Sequence, residues 1–120
     1  MKSERLSDQQ LINELEQGRQ ELLTGKLSQT LLPAVRRRSQ VITPNVYIVQ
    51  WTPEQREDLI DVLVDGETVV QIELPRVVNP REISFQIWDV SEYLKAKRGQ
   101  SRTDRRRLEV ALQLAAEHKA

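Results

Sequence analysis

The chain has 120 residues, 38% apolar and 30% charged, a length and balance suited to one domain that buries its own core. Its 18 Lys and Arg equal its 18 Asp and Glu, so no overall charge draws it toward nucleic acid or a membrane surface. The absence of cysteine excludes disulfides, thiolate nucleophiles and Cys-ligated zinc.

The opening MKSERLSDQQ is polar and lacks the apolar segment of a secretory signal. No apolar run approaches the ~18 residues of a membrane span, so the expected location is cytoplasmic, with no membrane partner. Ser7 and Gln10 have the spacing of a capping box, which predicts a helix start. Leu11, Ile12, Leu15, Leu22 and Leu23 then share one helical face. Gly18 weakens this helix and Gly25 ends it. Pro33 and the run RRRSQ make residues 26–45 a connector with room for a short helix.

Val46–Trp51 is β-branched and aromatic and reads as a strand. Thr52 with Pro53 and Gln55 then has the form of a helix start. Leu59, Ile60, Val62, Leu63 and Val64 supply an apolar side, and Asp65-Gly66 a stop. Glu67–Leu74 is the next strand. Strand, helix and strand together predict a βαβ unit with parallel strands. Pro75 and Pro80 bracket a loop or short edge strand. Glu82–Val90 is a further strand, with Ile83, Phe85 and Ile87 on one face and Ser84, Gln86 and Trp88 on the other. Ser91 caps a short helix through Lys97, which Gly99 breaks. Ser101 or Thr103 starts a last helix whose Leu108, Ala111, Leu112 and Ala115 form its apolar stripe.

The expected fold is α/β or α+β. It has a small mixed sheet of three or four strands containing a βαβ unit, with helices at both ends. A single domain spans 1–120, divided into an N-terminal helix (1–25), a connector (26–45), a sheet-containing core (46–98) and a C-terminal helix (99–120).

Catalytic signatures are missing. The single histidine, His118, lies in the last turn, where a general base is poorly held. Neither Gly-rich phosphate-binding pattern occurs. Glu73 is followed by Leu74 and Pro75, without the lysine a carboxylate–lysine nuclease needs. The expectation is a non-enzymatic protein with no cofactor and no metal.

Charge is segregated. Between Glu54 and Glu73 seven acids accompany one base, and between Lys95 and Arg107 seven bases accompany one acid. On the predicted helix, Glu54, Asp58, Asp61 and Asp65 fall on one stripe. It reads either as a solvated face or as a docking strip for a basic partner. Lys95, Lys97, Arg98, Arg102, Arg105, Arg106 and Arg107 read as a solvated junction, a protein-facing patch or a phosphate-binding segment. Trp51 and Trp88 each close a strand. Trp88, on the more polar face, is the better interface anchor. The expected function is a protein–protein interaction or regulatory protein whose partner is another protein or a second copy, docking at Glu54, Asp58, Asp61, Asp65 and Trp88. The alternative is a nucleic-acid-binding regulator using the basic segment 95–107.

Overall fold

A computed structural model describes residues 7–25, 28–29, 31–39, 43–75, 83–96 and 101–119. Helix α1 (Asp8–Leu23) starts where its capping box predicts. The Ser7 hydroxyl accepts from the Gln10 N–H and the Gln10 side chain accepts from the Ser7 N–H. Within the expected connector lies helix α2 (Leu31–Ser39). Four strands follow: β1 (Val46–Pro53), β2 (Glu57–Val64), β3 (Thr68–Pro75) and β4 (Ser84–Asp89). Helix α3 (Val90–Ala96) begins with the Ser91 N–H donating to the Asp89 carboxylate, and α4 (Arg102–Lys119) is capped by Ser101. The loop expected between Pro75 and Pro80, together with Lys97 and Gly99, lies outside the described residues.

The described strands form one antiparallel sheet in the order β1-β2-β3-β4, which with its flanking helices makes an α+β fold. The expected βαβ unit is therefore corrected to two antiparallel hairpins, and the expected helix after Thr52 is strand β2. Burial explains the exchange. Ile60 through Val64 are all buried, because β2 lies inside the sheet with helices over both faces. Such a strand reads as a continuous apolar run, which periodicity alone does not separate from a short buried helix. Asp65-Gly66 is no helix stop. Both residues take positive φ (58° and 70°) and the Glu67 N–H donates to the Val64 carbonyl, as in a type I′ hairpin turn.

Two apolar clusters flank the sheet. On one face Leu11, Leu15, Tyr93, Leu108, Ala111 and Ala115 of α1, α3 and α4 pack on Tyr47, Val49, Leu63 and Val69. On the other, Leu22 of α1 and Leu31, Leu32 and Val35 of α2 pack on Val46, Ile60, Val62, Val64, Val70 and Ile72. Each fully buried Leu, Ile or Val contributes about 1.5–3 kcal/mol relative to exposure. Helix α1 thus runs beside the edge strand β1, its first half serving one cluster and its end the other.

Candidate functional site

The loss of the helix after Thr52 disperses its acidic stripe. Glu54 is exposed in the β1–β2 turn, where its N–H donates to the Glu57 carbonyl at 2.8 Å. Asp58 and Asp61 are an odd number of residues apart on a strand, so they face opposite sides of the sheet. Asp65 is in the β2–β3 turn at the far end, bonded through its N–H to the Asn45 carbonyl. These four acids form no common surface.

Asp61 is instead a buried carboxylate, 5% exposed. Its Oδ2 accepts from the Tyr93 hydroxyl at 2.6 Å and from Gln71 Nε2 at 3.4 Å. The Gln71 carbonyl oxygen in turn accepts from the Trp88 indole N–H. Trp88 is half-buried against the α1/α3/α4 cluster, with its indole N–H tied into this network.

The basic segment is divided. Arg106 reaches across to α1 and meets Asp8 at 2.6 Å, with Glu109 at 3.0 Å. Arg107, 15% exposed, joins Asp104 at 2.7 Å and Glu14 of α1 at 3.2 Å. The Arg106 hydrogen bond holds the Asp8 carboxyl below its ordinary range, and the same pairing raises Arg106. Lys95, Arg102 and Arg105 are exposed, while Lys97 and Arg98 lie outside the described residues. The acids that Arg106 and Arg107 meet are those of α1 and α4.

A concavity opens between α1, β1 and the first turns of α4. It holds about 580 Å³ and is lined by Glu14, Gly18 and Glu21 of α1, by Ile48, Gln50, Trp51 and Thr52 of β1, and by Asp104 and Arg107 of α4. A volume of this size lies within the ~300–1,000 Å³ usual for binding pockets. Three carboxylates face one guanidinium there. Arg107 spans the pair Glu14 and Asp104, and its Nε is buried without a partner among the described residues.

Trp51 stands at the rim, 43% exposed. A break in register between Ile48 and Gln50 puts it there. Strict alternation from Tyr47 and Val49, both buried in the α1/α4 cluster, sends Trp51 into that cluster too. The bulge adds one residue, so that Gln50 sits opposite Asp61 and Trp51 opposite Ile60 on the other face. Sequence alone prefers Trp88, on the more polar strand face, and carries no signal for the inserted residue that brings Trp51 to the rim. Glu14, Gly18 and Glu21 are spaced as one helical face, yet their meaning depends on where α1 lies.

Beside the cleft, and sharing Gln50 and Thr52 with it, a polar groove of about 210 Å³ runs over Asp61, Gln71, Glu73, Ser84 and Gln86. Near the opposite end of β1 the Tyr47 hydroxyl is buried without a partner among the described residues. Burial, reinforced by the negative charge of Glu16, pushes its pKa up to about 12. Among the described residues no group of three or more His, Cys, Asp or Glu could hold a metal ion. Nor is any described helix long and apolar enough to cross a membrane. No protein-family model, curated protein or solved structure matches the chain, so its functional reading rests on the geometry above.

Proposed function

We propose that this chain is a non-enzymatic, cytoplasmic protein-interaction module that docks a positively charged segment of another protein in the cleft between α1, β1 and α4. The observation that carries this reading is the lining of that cleft: Glu14, Glu21 and Asp104 against the single Arg107, beside the half-exposed indole of Trp51. An exposed tryptophan beside a lining in which carboxylates outnumber the guanidinium three to one suits a Lys- or Arg-containing segment. The indole covers the aliphatic stem or stacks on the cation, and the carboxylates receive the charged head.

Calorimetry with an acetylated, amidated Lys-Val-Lys-Val-Lys-Val peptide and its Gln-for-Lys counterpart tests the reading. The Lys peptide is expected to bind and the Gln peptide to bind at least about tenfold more weakly, the effect of about 1.4 kcal/mol of lost charge pairing. Trp51→Ala is expected to cost about 2 kcal/mol, as for a central aromatic anchor. Glu21→Gln should flatten the salt dependence. Equal binding of both peptides overturns the proposal.

A second reading, nucleic-acid contact, draws on the exposed side chains of Lys95, Arg102 and Arg105. Random-sequence duplex DNA that binds the chain with a steep salt slope, lost in Arg102→Ala/Arg105→Ala, would favour it.

A further inference from the structure

We infer that the partner segment enters the cleft as an extended strand and adds to the outer edge of β1 at Trp51. This rests on the docking reading above and specifies its form.

In an antiparallel ladder, successive residues direct their backbone groups alternately toward and away from the paired strand. The Glu54 N–H points at β2, donating to the Glu57 carbonyl. From there the register runs without interruption through Pro53↔Asp58, Thr52↔Leu59 and Trp51↔Ile60. Thr52 therefore also faces β2, and Trp51 turns its N–H and C=O outward into the cleft, where no described residue bonds them.

Exposed strand edges are liabilities that folds cover or interrupt. The first half of β1 is covered. Helix α1 lies against it closely enough that a Cβ on Gly18 would stand 3.8 Å from the Ile48 side chain. The far end is interrupted by Pro53, which has no N–H to offer. Between cover and interruption the edge is open at Trp51, in a slot walled by α1 on one side and the start of α4 on the other.

A strand added there exchanges two backbone hydrogen bonds with Trp51 and is gripped through alternate residues, the peptide-recognition mode of edge augmentation. Its charge follows from the walls. Glu14, Glu21 and Asp104 select Lys or Arg among the flanking side chains.

The test uses the same Lys-Val hexapeptide and two derivatives, one with every Lys amide N-methylated and one with every Val amide N-methylated. Only one alternating set of amides can face an edge. One derivative is therefore expected to bind about tenfold more weakly, having lost a backbone hydrogen bond and left its acceptor bare, and the other to stay within about twofold of the parent. Saturation with the parent peptide is also expected to slow solvent exchange of the Trp51 amide. If both derivatives match the parent, or both weaken equally, while the Gln-for-Lys peptide still fails to bind, strand addition is overturned and docking by side chains alone stands. If the parent Lys peptide does not bind, the docking reading falls and the inference falls with it.

Discussion

Asp61 and Asp58 differ by their side of the sheet and so by everything that surrounds them. Asp61 holds the Tyr93 hydroxyl at 2.6 Å inside the fold, and Gln71 links that carboxylate to the indole of Trp88. Replacing it with Ala leaves the buried Tyr93 hydroxyl without its acceptor, at a cost of about 1–3 kcal/mol, and releases the half-buried Gln71 amide as well. Asp61→Ala is therefore expected to destabilise the fold by about 2–4 kcal/mol in urea unfolding, at the high end of single-residue effects. Asp58→Asn, an isosteric change at a half-buried position on the other side of the sheet, should cost clearly less than Asp61→Ala. A double change of Asp61→Ala with Tyr93→Phe should cost less than the two alone, because the second removes the group that the first strands. Equal destabilisation by Asp58→Asn and Asp61→Ala would remove the network from the account of stability.

At the scale of elements, two glycines give opposite expectations. Gly18 lies within α1 in ordinary contact distance of Ile48, so Gly18→Ala fits and should add about 0.5–1 kcal/mol by lowering the entropy lost on folding. Gly66 holds a φ of 70° in the β2–β3 turn, and a Cβ there would approach Ala115 Cβ to 3.2 Å. Gly66→Ala should cost about 1–2 kcal/mol, the penalty of a left-handed conformation for a residue with a Cβ. Thermal melts of the two variants that shift in the same direction would contradict this. The same turn shows how far the elements were legible in sequence. Helices α1 and α4 and strand β4 carry caps and periodicity of their own and lie where those signals place them, whereas α3 starts at Val90 and is capped by the Asp89 carboxylate instead of the expected Ser91. Strand β2 has no private signal. Its apolar run suits a strand covered on both faces as well as a helix, and Thr52-Pro53 resembles a helix start while closing an edge strand. Asp-Gly between two apolar runs is a strong hairpin signal, and three β-branched residues at Ile60, Val62 and Val64 agree with it. The cleft was less legible than the fold because Trp51 reaches it through a bulge, and because Glu14 and Glu21 become part of a site only through the placement of α1 beside β1.

Taken whole, the molecule joins short-range and long-range construction. Each described strand bonds its neighbour in the chain, and the two hairpins β1–β2 and β2–β3 close over short turns. Helices α1 and α4, by contrast, meet from opposite ends of the sequence, joined by Arg106 with Asp8 at a separation of 98 residues and Arg107 with Glu14 at 93. Closing so long a loop is entropically unfavourable until the sheet offers a surface to close on, so local pairing should precede helix docking along the folding reaction. The consequence is kinetic. Val62→Ala, inside the hairpins, is expected to slow refolding. Leu11→Ala and Leu108→Ala, in the α1–α4 seam, should leave the refolding rate nearly unchanged. Their destabilisation, about 2 kcal/mol or more for a buried Leu, should appear as unfolding accelerated by about thirtyfold. Stopped-flow refolding and unfolding across a urea series measures both arms. A refolding arm slowed as much by Leu11→Ala as by Val62→Ala would place the two terminal helices in the nucleus instead. If the seam does close last it also opens first, and because α1 and α4 supply two walls of the cleft, the lifetime of the binding slot is then the lifetime of that seam.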